Sequence, residues 1–190
     1  MEFISFLRYT GNTTYLFLFS FIPFDNKDTR PQRVQADKLA AISELWSMFL
    51  HHAQGAMIPG PFLTVDERLA AYRGRCRFIQ YMPTKPAKYG IKLWMCCDAD
   101  TKYVYNASIC CGKENAKEAT CLCNLGGKVV RQLLEPLHCE GRNITTDNYF
   151  TSLGLARDLI KAKKQTLVGT IRTNRVELPK EFAAPAGREL

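Results

Sequence analysis

Apolar and polar residues alternate with two different periods along this chain, and the changes of period predict its elements. Three stretches carry apolar side chains at every third or fourth position, which is the spacing of amphipathic helices. The predicted helices cover residues 37–55, 125–137 and 152–164. Short runs rich in β-branched, aromatic and other apolar residues, bounded by turn residues, predict strands. The predicted strands cover residues 62–65, 92–97, 103–111, 143–146 and 166–171.

The first predicted helix follows a polar segment without any period. Residues 25–35 read DNKDTRPQRVQ and are predicted to be a connector. Asp37 can then cap the helix, and Gly55 lies at its end. We expect this helix to pack through one apolar stripe, made of Leu39, Ile42, Leu45, Trp46 and Phe49.

Two carboxylates stand at or near the ends of predicted strands. Asp66 directly follows the strand at residues 62–65, and Asp147 lies between a strand-like run and the helix that Ser152 opens. In an α/β sheet, groups at the carboxyl ends of strands project into the crevice where ligands bind. Asp147 is therefore a candidate catalytic acid. The alternative is that Asp147 and Asn148 only make a turn and cap the helix.

The charge of the chain is uneven along its length. The 190 residues carry 26 Lys and Arg against 18 Asp and Glu, a net charge of +8, which favours a polyanionic partner. Between Glu67 and Lys92 alone the excess is seven minus one, or +6, with tyrosines and turn residues interleaved. Such a segment suits the phosphate backbone of nucleic acid, and the alternative is a solvated loop. The candidate DNA-binding residues are Arg73, Arg75, Arg77, Lys85, Lys88 and Lys92, with Arg172 and Arg175 as a second basic spot.

Eight cysteines raise the question of disulfides or zinc. Adjacent pairs such as Cys96 and Cys97 point to opposite faces of a strand, so we interpret the cysteines as reduced thiols that pack as small apolar groups. Cys121 and Cys123 have the nearest approach to a metal spacing, but no second pair completes it. The apolar run at residues 15–24 is too short to cross a bilayer, and we expect no membrane association.

The order of elements suggests a fold class. Three antiparallel strands followed by helix, strand, helix and strand is the order of a ribonuclease-H-like core, a mixed α/β sheet flanked by helices. In that fold the ends of the first and fourth strands are neighbours, so Asp66 and Asp147 are predicted to converge on a divalent metal, which prefers oxygen ligands. We assign residues 1–58 to a small N-terminal helical segment and residues 59–190 to a partial ribonuclease-H-like domain.

Five ordered motifs then give the chain a specific resemblance. LTVDERLAAYRGRC, QYMPTKPAKYGIKLW, CGK, TTDNYFTS and GTIRTNRVELPKE together resemble the transposase domain of piggyBac elements and their domesticated derivatives. Asp66 matches the first catalytic aspartate of that family, and Asp147 matches the second. The resemblance implies cleavage and strand transfer of double-stranded DNA at transposon ends and TTAA targets, with Mg²⁺ or Mn²⁺ as cofactor. It also implies a nuclear protein and a possible homodimer.

The chain also departs from the family pattern. The further catalytic aspartates of the family follow a helical insertion beyond the position that corresponds to Leu190. We therefore expect this chain to be an incomplete, inactive form, incomplete at its C-terminus, that holds its metal weakly. The alternative is a domesticated, non-catalytic domain that binds DNA or another protein.

Overall fold

A computed structural model describes residues 25–112, 125–138, 141–172 and 177–179 of the chain. Contact between residues divides the chain into two compact units, Met1–Met48 and Phe49–Leu190. The elements in the described residues are α1 (Arg30–Ala36), α2 (Ser43–Ala56), β1 (Phe62–Ala71), β2 (Gln80–Tyr81), β3 (Tyr89–Asp98), β4 (Val104–Ile109), α3 (Leu125–Leu134), β5 (Asn143–Thr146), α4 (Leu153–Lys163) and β6 (Thr166–Gly169).

Helix α1 corrects the prediction that residues 25–35 are a connector. Pro31 lies in its first turn, where the missing N–H costs no hydrogen bond. Asp25 binds the guanidinium groups of both Arg30 and Arg33, and the Arg30 contact holds the pKa of Asp25 below its usual value. The helix was missed because polar contacts hold it, and these leave no apolar period in the sequence.

Helix α2 begins later than its apolar pattern predicts. Asp37 accepts a hydrogen bond from the Leu39 N–H at 2.7 Å in a preceding turn, so it does not cap this helix. The prediction that α2 packs through its stripe is also wrong, since Leu45 and Phe49 are exposed. Among its residues, Ala53 is buried.

The second unit contains a six-stranded mixed sheet with the predicted order of elements. The strands run in the order β2-β3-β1-β5-β6, and β4 also pairs with β3. Strands β1, β3 and β4 are antiparallel neighbours, whereas β5 and β6 are parallel to β1. The mixed α/β fold is therefore confirmed.

Strand β1 is longer than predicted, because it continues past Asp66 to Ala71. Its antiparallel pairing with β3 extends to Ala71 and Gly90. A Cβ at Gly90 would overlap the carbonyl oxygen of Ala70, so only glycine permits this close approach. Gly90, one of the turn residues in the basic segment, therefore lies inside β3.

One face of the sheet carries the core. Leu63 and Val65 of β1 and Ile144 of β5 are fully buried, and they pack with residues of α3 and α4. The helical contributions are Val129, Val130, Leu133, Leu134, Leu155 and Leu159. Lys163, in the last turn of α4, donates to the carbonyl oxygens of Leu134, Glu135 and Leu137 at 2.7 to 3.0 Å. It thereby satisfies acceptors that the end of α3 leaves open.

Among the described cysteines, Cys96 packs in the core as predicted, whereas the others are only partly buried. Five of them, Cys76, Cys96, Cys97, Cys110 and Cys111, are free thiols. Burial, with a smaller contribution from Cys97, raises the pKa of Cys96 to about 12, which is consistent with an inert thiol in the core. The predicted Cys121 and Cys123 spacing lies outside the described residues, as does the apolar run at residues 15–24. Of the helices that the structure describes, none has the length and apolar character to cross a membrane.

Candidate functional site

The register of two parallel strands brings the candidate carboxylates to the same level of the sheet. The pairing of β1 with β5 ends at Val65 and Thr146; Asp66 is the next residue of β1, and Asp147 directly follows the end of β5. Neighbouring strands lie about 4.8 Å apart, so the backbones at these two positions are adjacent. Val65 and Thr146 are buried on the core side, and alternation within β1 directs Asp66 toward the opposite face.

Asp66 lies within β1, not at its end as predicted, but it does mark the end of the parallel pairing. Pro61 accepts a hydrogen bond from Asn143 of β5, and alternation directs the Glu67 N–H toward the same edge. Beyond Thr146 this edge has no β5 partner. The Glu67 N–H instead donates to Asp66 Oδ1 at 2.7 Å, which fixes one oxygen of the carboxylate.

Asp147 forms a turn whose hydrogen bonds orient its side chain. Its Oδ1 accepts from the N–H groups of Tyr149 and Phe150 at 3.0 and 3.4 Å. Thr151 donates to the Asp147 carbonyl oxygen through both its N–H and its hydroxyl. The cap of α4 is Ser152, whose Oγ accepts from the Leu155 N–H at 3.1 Å. Asp147 therefore makes the turn of the alternative interpretation but does not cap the helix.

A hollow of about 420 Å³ opens beside Asp66 on the sheet face opposite the core. Its lining includes Arg68, Met95 and Cys97. Burial raises the pKa of the Cys97 thiol, Asp66 raises it further, and Arg68 lowers it. Arg68 belongs to the basic segment between Glu67 and Lys92, but it is not one of the predicted site residues. Its position two residues after Asp66, on the same face of a strand, is the signal that was available.

The donor set suits a hard divalent cation. Asp66 and Asp147 are both exposed, and each has only one oxygen, Oδ1, in hydrogen bonds among the described residues. Two carboxylates with free oxygens are the ligands that Mg²⁺ and Mn²⁺ prefer. Within the described ranges, no group of three or more His, Cys, Asp or Glu side chains is placed to hold a metal ion. The register of β1 and β5 brings two positions that carry carboxylates, Asp66 and Asp147, to this region of the sheet.

The basic residues predicted to bind DNA occupy three different settings. Arg73, Arg75 and Arg77 lie exposed in the loop between β1 and β2, and Lys88 is exposed in the loop before β3. Beside them the exposed rings of Tyr81 and Tyr89 lie 4.8 Å apart. About 17 Å of strand separates Asp66 from the end of β1, at roughly 3.4 Å per residue.

Lys85 and Lys92 form the second setting, because both ammonium groups approach Glu67. Lys85 Nζ lies 3.8 Å from Glu67 Oε1, and Lys92 Nζ makes a close ion pair with Glu67 Oε2. Only 14% of the Lys92 side chain is exposed. These two lysines are therefore engaged within the protein.

Arg172 forms the third setting, beside the Asp147 turn. Its Nε and Nη2 both donate to Asn148 Oδ1 at 3.3 Å. Further along the same segment, Glu177 Oε2 accepts from the Leu153 N–H at 3.0 Å, where a carboxylate is favourable at a helix N-terminus. Sequence reasoning did not predict the Glu177 contact, since no local pattern connects the two residues. Arg175 lies outside the described residues.

Nearly the whole chain matches the model of one protein family. A family model described as Transposase IS4 matches residues 7–189. The chain belongs to this transposase family, of the piggyBac type, and carries its DDE transposase domain.

A solved structure shows the same relationship. The chain is 38% identical, with a TM-score of 0.81, to a piggyBac transposase determined by cryo-electron microscopy as a synaptic complex with hairpin DNA. The match covers 91% of this chain and 36% of that one. The chain therefore spans about a third of the transposase that it matches, and it is a transposase-derived protein.

Proposed function

We propose that this chain binds double-stranded DNA and holds a divalent cation between Asp66 and Asp147 for phosphodiester chemistry. The observation that carries the proposal is the register of β1 and β5, which places the two aspartates immediately after a pair of hydrogen-bonded partners. Carboxylate oxygens at two neighbouring strand positions are the kind of ligand that a hard divalent cation prefers.

Different residues of the chain hold the cation and contact the DNA. Backbone N–H groups hold Oδ1 of each aspartate, which leaves the other carboxylate oxygens for a cation. Arg68 lies on the Asp66 face and supplies positive charge for a phosphate near that cation. The backbone of the duplex contacts four exposed basic residues in the loops beyond the end of β1, namely Arg73, Arg75, Arg77 and Lys88. Mg²⁺ or Mn²⁺, when bound, polarises a phosphate oxygen and lowers the pKa of water.

The similar transposase supports DNA as the partner, because its structure is a complex with hairpin DNA. Cleavage and strand transfer at transposon ends, a TTAA target, a homodimer and a nuclear location are proposals for this chain. A fluorescently labelled chain found throughout the cell, without nuclear enrichment, would count against the last of these.

Binding without efficient cleavage is the second candidate function. It is favoured by the two-carboxylate character of the site in the described residues, because an octahedral cation would then depend on water for most of its ligands. A loosely held cation positions the reacting groups poorly, and a displacement of about 1 Å can cost on the order of 100-fold in rate.

The experiment combines cation binding with a cleavage assay on the whole chain. Mn²⁺ binding is measured by electron paramagnetic resonance, and nicking is measured on a duplex that carries transposon ends, with Mg²⁺ or Mn²⁺. The variant is Asp147→Asn, and the matched control is Asp158→Asn, an exposed aspartate on α4. We expect Asp147→Asn to lose Mn²⁺ binding and the control to retain it.

The outcomes separate the two functions. Nicking by the unchanged chain that disappears in Asp147→Asn establishes the enzyme. DNA binding with Mn²⁺ binding but no nicking establishes the second candidate. Mn²⁺ affinity that is the same in Asp147→Asn and the unchanged chain refutes the cation site.

A further inference from the structure

We propose that Lys92 is a positioning residue that connects the strand of Asp66 to the turn of Asp147. The connection runs through Glu67, which follows Asp66, and through Tyr149, which lies in the Asp147 turn. This inference rests on the proposed function, in which both aspartates hold one cation. It also gives Lys92 a different role from the phosphate contact that its charge predicts.

The first half of the connection is an ion pair on one face of the sheet. Glu67 of β1 and Trp94 of β3 are register partners, and Lys92 precedes Trp94 by two residues on the same face. Lys92 Nζ pairs closely with Glu67 Oε2, and 21% of the Glu67 side chain is exposed. An ion pair that is largely shielded from solvent is screened less by salt than one on the surface.

The second half of the connection is a contact between the same ammonium group and an aromatic ring. Lys92 Nζ lies 5.5 Å from the centre of the Tyr149 ring and 5.9 Å from that of Trp94. Both distances fall within the range of cation–π attraction, which is strongest where the cation is desolvated. The ammonium group thus binds a strand residue and a turn residue at the same time.

The contact with Tyr149 acts on Asp147 through the backbone. The Tyr149 N–H donates to Asp147 Oδ1 at 3.0 Å, so the position of the Tyr149 backbone sets the orientation of the carboxylate. On the other side, the Glu67 N–H donates to Asp66 Oδ1. Lys92 therefore joins Glu67, whose N–H group orients Asp66, to Tyr149, one of the two residues whose N–H groups orient Asp147. Residues that orient metal ligands in this way typically contribute about 10- to 100-fold to metal affinity.

A test that needs no metal measures hydrogen exchange at the Tyr149 amide by nuclear magnetic resonance. Lys92→Met keeps the length of the side chain and removes the charge. We expect exchange at Tyr149 to accelerate about tenfold, because a weaker hydrogen bond by about 1.4 kcal/mol changes the equilibrium by that factor. Lys92→Arg should restore slow exchange, since a guanidinium supports both the ion pair and the ring contact. Lys161→Met, on exposed α4 surface, is the matched control and should leave the exchange unchanged.

A second variant guards against loss of the fold. Tyr149→Leu removes the ring but keeps the pair of Lys92 with Glu67, whereas Tyr149→Phe keeps an aromatic face. We expect Lys92→Met and Tyr149→Leu to weaken Mn²⁺ binding about tenfold each, and the double variant to lose little more than either one. Tyr149→Phe should bind Mn²⁺ as the unchanged chain does.

The two proposals fail in different ways. If Asp147→Asn leaves Mn²⁺ binding unchanged, the cation site is wrong, and the exchange experiment alone decides whether Lys92 positions the turn. If Asp147→Asn abolishes Mn²⁺ binding but Lys92→Met alters neither Mn²⁺ affinity nor exchange at Tyr149, the role of Lys92 is refuted. Additive effects of Lys92→Met and Tyr149→Leu would also overturn it, since they would show that the two side chains act independently.

Discussion

The two halves of β1 differ in pairing, burial and charge. From Phe62 to Val65 the strand has β3 on one edge and β5 on the other, and Leu63 and Val65 are fully buried. From Asp66 to Ala71 its partner among the described residues is β3 alone, and it leads into a loop that carries exposed arginines. Asp66 lies at the junction. One strand thus connects a buried core to a basic surface, and the candidate cation site lies where the second partner strand ends.

We propose that the first half of β1 supplies stability and that the second half supplies binding. A strand that is buried and paired on both edges opens with the whole domain, whereas one that is exposed and paired on one edge can open locally. The exposed half is also accessible to a long polyanion.

The largest effect is expected for loss of core volume in the first half. Leu63→Ala removes a fully buried side chain and should lower the free energy of unfolding by about 2–5 kcal/mol. The matched control is Leu69→Ala in the second half, where the side chain is only partly buried and the loss should be about 1 kcal/mol. Urea denaturation of both variants measures the difference. Equal losses would show that the two halves contribute equally to the core.

The general fold was predictable because its information is local. The order of strands and helices follows from short apolar runs, and the adjacency of Asp66 and Asp147 follows from that order. The full length of β1 was not predictable, since the polar and glycine-containing residues opposite it, such as Gly90, resemble a loop. The pairing emerges only when β3 lies beside β1.

The next effect concerns the basic half. Neutralising Arg73, Arg75 and Arg77 together should reduce the slope of log affinity against log salt by up to about 2.7, at roughly 0.9 per phosphate contact. Raising the salt from 50 to 200 mM should therefore weaken DNA binding about 40-fold less in the triple variant than in the unchanged chain. Fluorescence anisotropy with a labelled duplex gives the slope. Arg157→Gln with Lys161→Gln on α4 is the control, and its slope should remain unchanged. The same slope in the triple variant would mean that the loop is only solvated.

The side-chain contacts of the site were the least predictable part. Lys92 and Glu67 are far apart in sequence, as are Lys163 and the end of α3, and no periodic pattern connects such partners. A basic residue in a basic segment looks like a phosphate ligand, and only the tertiary structure shows that Lys92 contacts Glu67 and Tyr149. Composition therefore identified the region, whereas the role of each lysine depends on its neighbours.

A smaller effect is expected at Asp98, the register partner of Leu63. Its buried carboxylate accepts from the Gly60 N–H at 2.7 Å and the Thr101 N–H at 2.8 Å. Hydrogen bonds from the backbone of Thr101 and then Gly60 lower the pKa of Asp98 below its usual value, despite burial. A lowered pKa means that this stability is fully present above the unfolded pKa of about 3.9 and is lost as pH falls through the folded pKa.

Asp98→Asn should therefore cost about 1.5 kcal/mol at pH 7, because an amide cannot accept from both N–H groups through two oxygens. The difference from the unchanged protein should shrink below pH 4. Urea denaturation at several pH values provides the measurement, with the exposed neighbour Asp100→Asn as control. A cost that stays constant with pH would show that ionisation of Asp98 contributes nothing.

The smallest effect is expected at Ser152, where a substitution tests whether the N-cap of α4 also stabilises the Asp147 turn. Ser152 Oγ accepts a hydrogen bond from the Leu155 N–H at 3.1 Å. Ser152 directly follows Thr151, the last residue of the Asp147 turn. Ser152→Ala removes this acceptor and should cost about 1 kcal/mol in urea denaturation, the usual value for an N-cap. Ser152→Thr keeps a hydroxyl and should recover most of it.

Amide exchange at Leu155 and Tyr149 shows whether strand pairing alone, or the helix cap as well, orders the Asp147 turn. If strand pairing alone orders the turn, Ser152→Ala should accelerate amide exchange at Leu155 and leave exchange at Tyr149 unchanged. If the cap also orders the turn, both amides should exchange faster, because Thr151, the residue before the cap, donates two hydrogen bonds to the carbonyl oxygen of Asp147. We expect the second result, since β1 continues past Asp66, whereas β5 ends at Thr146, directly before Asp147. Asp147 has a turn after it, and that turn depends on the helix it leads into.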